Sequence, residues 1–290
     1  GHGLTSLAES IMKSCDVYYY QMANWLGIDK LHDFLAQYGL GQRTGIDLHN
    51  EPTGLNPSKQ WKSNVKGQPW YPGETLNAGI GQGHFLVTPV QLAAMTAILA
   101  NNGKRIEPRL VNRLVVGNNE NGEDQVVFQN GAESGEATVN PENVELVVDA
   151  MRRVVEDPLG TARRAWHDAS YSTAGKTGTV QVVSIAQGAK YDESKLNEFQ
   201  KDHALFVAFA PIENPEIAIS VVVENGGSGS SVAAPIARKV MDYYLTGVDA
   251  NAPVEEDDGE LIGEANFVEL EAAINIEQPQ FETLSQRVVN

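Results

Sequence analysis

The apolar periodicity of this chain changes once along its length, and that change restricts the fold more than any other feature. Through the first half apolar residues recur at helical spacing. Beyond Met151 they gather into short β-rich runs at residues 178–183, 204–210 and 217–224. The last two runs are separated by Pro211-Ile212-Glu213-Asn214-Pro215, a link short enough to turn a hairpin and pair its strands antiparallel. Asn225-Gly226-Gly227 then breaks the chain, and residues 232–245 return to a closing helical pattern. Helices, then strands, then a helix predict an α+β domain on an antiparallel sheet.

Local signals divide the helical half. Ser6 and Glu9 form a capping box that opens a short helix ending near Ser14. Asp16 is expected to cap a second helix with Val17, Tyr20 and Leu26 near one face and Gly27 at its end. Asp29 starts a third, with Leu31, Phe34, Leu35 and Tyr38 inward and Gly39 closing it. Residues 41–73 are rich in Gly, Pro and Asn and read as loops with short strands. Thr88-Pro89-Val90-Gln91 combines an N-cap, a first-turn proline and a reach-back glutamine, and its helix runs through Leu92, Met95 and Leu99 to Asn101-Asn102-Gly103. Polar residues 117–137 suggest a hairpin or surface excursion. Asn140-Pro141 starts a further helix with Val144, Val147, Val148 and Met151 on one side.

Composition narrows the class. With 290 residues, 42% of them hydrophobic, the chain can bury a core as one large or two small domains. A net charge of −17 argues against nucleic acid as the main partner, because phosphate neutralisation needs clustered Lys and Arg. The charge is uneven: residues 247–290 carry eleven acidic side chains against Arg287 alone, and read as a mobile acidic tail in which residues 265–276 could form a short helix. The folded body is therefore placed at residues 1–246. No apolar run approaches the roughly 18 residues of a membrane helix. A single cysteine forbids an internal disulfide. The opening Gly1-His2-Gly3, without initiator methionine or signal pattern, leads us to expect a piece of a longer protein.

Two triplets carry chemistry. Ala174-Gly175-Lys176-Thr177-Gly178-Thr179 stands at the head of a predicted strand. It offers a fixed cation, two hydroxyls and a position without Cβ where another backbone can approach, which suits a carboxylate-bearing peptide laid along the edge. Ser14-Cys15-Asp16 falls at a break between helices, where a serine hydroxyl can face a cleft. The plainer readings are a strand entry and a helix cap. Gly79-Ile80-Gly81-Gln82-Gly83 lacks dinucleotide-loop spacing and follows no strand, so it is read as a cleft-lining loop. His84 and His203 are read as structural.

Ser-x-Asn, here with Asp16 in the third place, followed far downstream by Lys-Thr-Gly, resembles the penicilloyl-serine transferases. Thr44-Gly45-Ile46-Asp47-Leu48, the Gly79 loop, Thr88-Pro89-Val90-Gln91, Gly160-Thr161-Ala162, the run from His203 to Pro211 and Glu224-Asn225-Gly226-Gly227 extend the likeness to about residue 246. Together they are similar to class B penicillin-binding proteins, in particular the transpeptidase domain of the cell-elongation group. That resemblance implies a penicillin-binding protein/serine β-lactamase-like fold and a peptidoglycan D,D-transpeptidase acting by serine acyl transfer. By it, Ser14 relays protons between the nucleophile, Lys176 and the leaving group. Asp16 stands where Asn is commoner, Lys176, Thr177 and Thr179 hold the terminal carboxylate, and the Thr179 N–H supplies half of an oxyanion hole beside Gly178. It also implies D-Ala-D-Ala stems and β-lactams as ligands, a membrane glycosyltransferase as partner, and a periplasmic location tethered to the inner membrane.

The resemblance puts the nucleophile well upstream of Ser14. Ser10-Ile11-Met12-Lys13 matches Ser-x-x-Lys, yet one helical turn cannot set Ser10 and Ser14 on opposite walls, so it reads as a solvated helix face and the true pair is expected to be missing. No cofactor is required. His2 and Cys15 match half of a zinc site found in some relatives, against the alternative of a buried free thiol and a terminal His. Two rival functions are a β-lactam hydrolase and a catalytically silent scaffold.

Overall fold

The computed structural model describes residues 1–118, 124–129, 139–183 and 196–247. The acidic tail expected after residue 246 lies, apart from Gly247, outside the described residues. Helices α1 (Leu7–Met12), α2 (Asp16–Leu26), α3 (Ile28–Gln37), α4 (Lys59–Lys66), α5 (Pro72–Gly79) and α6 (Pro89–Ala100) lead into a hairpin of β1 (Arg113–Asn118) and β2 (Asp124–Gln129). Then follow α7 (Pro141–Glu156), α8 (Arg163–Trp166), β3 (Ala174–Val180), β4 (His203–Ala210), β5 (Ile217–Val223), a π-helical turn (Gly229–Ala233) and α9 (Ala234–Thr246).

β3, β4 and β5 form an antiparallel sheet in that order, with Ala174 opposite Phe209, Val180 opposite His203 and Ala210 opposite Ile217. Phe206 and Phe209 are both fully buried although their separation puts them on opposite faces of β4, so the sheet is covered on both sides. Phe206 stacks on Trp166 of α8 with centroids 5.0 Å apart, while Phe209 lines a pocket together with Leu99 of α6 and Ile212. Val154, Ala237 and Met241 complete this core. The α+β expectation and the antiparallel hairpin therefore hold.

The capping chemistry of α6 is as read: the Thr88 hydroxyl accepts from the Gln91 N–H and Gln91 Oε1 accepts from the Thr88 N–H, at 3.1 and 2.9 Å. Gln91 also donates its side-chain amide to the carbonyls of Gln42 and Thr53, tying the 41–53 loops to the helix.

Several local expectations need correcting. Asp16 does not cap α2; it is the first helical residue, and Cys15 takes the cap position without a side-chain bond. Val17 and Leu26 are exposed, and α2 instead buries Ala23 against Gly79 of α5, where a Cβ on the glycine would overlap it. In α3 Phe34 is exposed and Ile28 is the buried residue. Residues 41–73 are not all loop: Ser58 caps α4, and the Tyr71 end of α5 is closed by Glu74, whose Oε2 accepts the Tyr71 N–H at 2.8 Å. Finally, β3 runs from Ala174 to Val180, so the run from Ala174 stands at the head of the strand as read, but residues 181–183 of the expected 178–183 run lie outside it.

Candidate active site

The break between α1 and α2 is a built turn. The Cys15 N–H donates to Ser10 O at 2.9 Å and the Ser14 N–H to Ile11 O at 3.2 Å, the paired closure that ends a helix through a left-handed residue. That residue is Ser14, at φ +52°, in a position glycine usually fills. Its exposed hydroxyl accepts from Lys176 Nζ at 2.9 Å, and the same ammonium donates to Thr177 O at 2.7 Å. Burial pushes Lys176 down to about 8, with the Asp16 charge opposing the shift.

β3 is an edge strand among the described residues, and its carbonyl directions are fixed by their partners. Gln82 Nε2 donates to Thr179 O at 3.1 Å across the cleft. The N–H and C=O of one strand residue point the same way, so the Thr179 N–H lies on the cleft edge as well. Gly178 sits between. A Cβ at Gly229 would overlap the carbonyl oxygens of Gly178 and Leu205, so the π-helical turn meets the strand backbone directly. The Thr177 and Thr161 hydroxyls lie 2.8 Å apart, linking the Gly160-Thr161-Ala162 segment to β3.

The facing wall is held from below. Lys62, almost fully buried, donates to both oxygens of Glu74 at 2.5 Å and lies 4.2 Å from the centroid of the Tyr71 ring. His84 Nε2 is 3.3 Å from the other side of the same carboxylate, with its ring 5.1 Å from that of Trp61. Burial raises Glu74, but the bonds from Lys62, the Tyr71 N–H and His84 outweigh it and hold the carboxyl below its ordinary value. Between these anchors Gly81 and Gly83 take φ of +76° and +78°, and Gln82 is presented to β3.

The result is a cleft of about 520 Å³ with Ser14, Asp16, Lys176, Thr177, Gly178 and Thr179 all on its lining. Tyr19, Tyr20, Gln181 and Asp202 join them and were not anticipated. The Gly79 loop lines the cleft as expected, and His203 is structural, accepting the Asn225 N–H at Nδ1. Ser10 overturns its reading as a solvated face: it is fully buried, its hydroxyl donating to Leu7 O at 2.6 Å and lying 3.2 Å from Tyr19 Oη. Lys13 pairs with Glu9 instead. Nor do His2 and Cys15 make a metal centre by themselves. His2 is exposed and Cys15 buried, and among the described residues no three His, Cys, Asp or Glu side chains gather round a metal-sized site.

A family model described as the penicillin binding protein transpeptidase domain matches residues 1–242. The chain belongs to the penicillin-binding protein transpeptidase family. Within that family it is 41% identical over 248 residues to peptidoglycan D,D-transpeptidase MrdA of Haemophilus influenzae, covering 84% of this chain and 37% of the relative. The MrdA protein of Acinetobacter baumannii is also 41% identical, over 249 residues and 35% of its length. The chain thus spans little more than a third of these curated relatives. Pseudomonas aeruginosa PBP2, solved in complex with WCK 5153, superposes with a TM-score of 0.68 at 42% identity, over 83% of this chain and 49% of that one. Helicobacter pylori PBP2, in its complex with MreC, gives 0.70 at 30% identity over 86% and 42%. The penicillin-binding protein transpeptidase fold is therefore shared, with β3 and the Ser14 turn at its cleft. No helix among the described residues is long and apolar enough to cross a membrane.

Proposed function

We propose that this chain is part of a peptidoglycan D,D-transpeptidase and binds the D-Ala-D-Ala end of a stem peptide for serine acyl transfer. A serine Oγ attacks the penultimate D-Ala carbonyl, the C–N bond to the terminal D-Ala breaks, and that D-Ala leaves with a proton on its amine. The amine of a neighbouring stem then takes the acyl group and the serine regains its proton. β-Lactams imitate the D-Ala-D-Ala end and acylate the same serine.

One observation carries the reading: the Lys176 ammonium, held against the Ser14 hydroxyl at 2.9 Å, sits on a strand edge inside the cleft. The cation and the hydroxyls of Thr177 and Thr179 receive the terminal carboxylate. The Thr179 N–H takes half of the developing oxyanion charge, and Ser14 passes protons between nucleophile, Lys176 and leaving group. Asp16 supports the positive charge of Lys176. Ser10, buried and already donating, is not the nucleophile, which we place outside these 290 residues. The full protein is read as an inner-membrane-anchored periplasmic enzyme working with a membrane glycosyltransferase. His2 and Cys15 supply only two of the ligands a closed zinc site needs, and no step is drawn through a metal.

Intact mass after incubation with a fluorescent penicillin tests this, alongside NMR titration with diacetyl-Lys-D-Ala-D-Ala. The expected result is no adduct, with saturable peptide binding that Lys176→Met abolishes. An adduct mapping to Ser10 would overturn the site assignment. Turnover of a chromogenic β-lactam would favour a hydrolase, and no peptide binding at all would favour a silent scaffold.

A further inference from the structure

A second cavity, of about 240 Å³, opens beside α8 and shares no lining residue with the cleft. Val155, Trp166 and Thr173 form its inner wall, none of them more than 5% exposed, while Arg163 and His167 are its more exposed lining. The backbone around it is tightly seated. Gly160 admits no Cβ against the Arg153 and Val154 carbonyls, the Ala162 N–H donates to Val154 O at 3.0 Å, and the Arg163 N–H donates to Gly160 O at 3.2 Å. Trp166 stacks on Phe206 and gives its indole N–H to the Thr173 hydroxyl at 3.0 Å. The recess is therefore formed before any ligand arrives.

Positive charge is left over here. Glu156 is taken by Arg152 at 2.8 Å, Asp168 by Arg238 at 2.9 Å, and Asp242 by Arg238 and the Tyr171 hydroxyl, both at 2.7 Å. The half-buried Arg163 guanidinium has no ion-pair or hydrogen-bond partner among the described residues, so its whole fork of N–H donors is unused. Thr173, 1% exposed, accepts the Trp166 proton, and its own O–H meets no acceptor among the described residues. Unmatched donors in a recess whose nearby carboxylates are already engaged select an anion, even in a chain of net charge −17. The rest of the lining sets the size of that anion. Val155, Ala169 and the rings of Trp166 and Tyr171 give the cavity an apolar side, and its volume is smaller than drug-sized molecules need.

We infer that this cavity is a binding site for a small organic anion. Carboxylate or phosphate oxygens meet the Arg163 fork and the Thr173 hydroxyl, and a short apolar body lies along Val155 and Ala169. The site is separate from the stem-peptide cleft proposed above and does not depend on that reading.

The test titrates isobutyrate and methyl phosphate into the 290-residue chain at constant ionic strength, followed by NMR at the Trp166 indole and the Arg163 Nε. At least one of the two is expected to give saturable shifts at both groups. Saturation by isobutyrate alone identifies the ligand as a carboxylate, and by methyl phosphate alone as a phosphate. Arg163→Gln should weaken the binding about tenfold or more, the worth of a charge-assisted hydrogen bond. Arg164→Gln, one residue on and exposed, should leave it unchanged. Equal weakening by both variants would reduce the site to diffuse charge attraction and overturn the inference. Equal binding of neutral isobutyramide overturns it too, as do shifts that saturate with neither anion. Should Arg163→Gln not fold by circular dichroism, the wild-type preference for the bound anion over isobutyramide decides, with about tenfold expected.

Discussion

Lys176 Nζ donates to Ser14 Oγ at 2.9 Å, joining the middle of a strand to a helix break 162 positions earlier in the sequence. The contact depends on two unrelated pieces of backbone chemistry. Ser14 reaches it by accepting a left-handed conformation that closes α1. Lys176 reaches it by being drawn into a strand whose small neighbours, Ala174 and Gly175, pack under Phe206 and Phe209. Backbone conformation and the Lys176 contact therefore pull in different directions at Ser14.

Glycine at position 14 separates them. A non-glycine residue in the left-handed region costs about 1 kcal/mol, so Ser14→Gly should raise folding stability by about that amount in urea unfolding. The same variant should weaken diacetyl-Lys-D-Ala-D-Ala binding about tenfold or more, the worth of one hydrogen bond to a charged group. Lower stability would mean that the Lys176 contact contributes more to the fold than the backbone conformation costs.

Titration of Lys176 gives a pH signature with a definite sign. Burial lowers it from 10.5 to about 8, so the folded state resists charging a group that the unfolded chain charges freely. Stability should rise with pH between about 8 and 10.5, where the unfolded chain binds more protons. Carboxylate binding needs the ammonium and should fall as pH rises through about 8. Lys176→Met should flatten both profiles, measured by thermal unfolding and peptide titration.

Asp16 opposes that burial effect. Asp16→Asn removes the opposing charge, so the midpoint of the binding profile should move to lower pH. At pH 6, where Lys176 stays protonated, an anionic peptide should bind at least as tightly as before. An unmoved midpoint would show that Asp16 and Lys176 do not sense each other.

The Lys62–Glu74 pair predicts an asymmetry. Glu74→Gln leaves a buried ammonium without its counter-charge and should cost about 3 kcal/mol. Lys62→Met should cost less, because Glu74 keeps the Tyr71 N–H and His84 and is the more exposed partner. Since Glu74 is held below its ordinary value, its contribution is present at neutral pH and lost on acidification. Chemical unfolding of both variants at pH 7 and pH 4 checks the order.

What the sequence shows plainly is whatever backbone or periodicity encodes locally. The Thr88–Gln91 box, the β4–β5 hairpin and the Lys176 triplet all rest on neighbouring residues, and the structure holds them as read. α4 escapes such reading because Lys59–Lys66 is short and carries only two apolar side chains, Trp61 and Val65; its Lys62 reaches Glu74 twelve residues on. Ala174 and Gly175 carry no β signal, yet the large side chains opposite require small residues there, so β3 begins earlier than its β-branched run. Ser10, set aside as a nucleophile and read as a solvated face, is instead buried, its hydroxyl taken up by Leu7 O and Tyr19, contacts that the short motif does not encode. Asp202 offered no signal, since only the pairing of β3 with β4 brings it to the cleft.

The direct meeting of Gly229 with the backbone at Gly178 leaves no room for a side chain beneath β3. Adaptation of the pocket to a new ligand is thereby channelled. Substitutions at the floor displace β3 itself and disable every ligand together, so heritable changes in discrimination should accumulate on the opposite wall, at Tyr19, Tyr20 and Gln82.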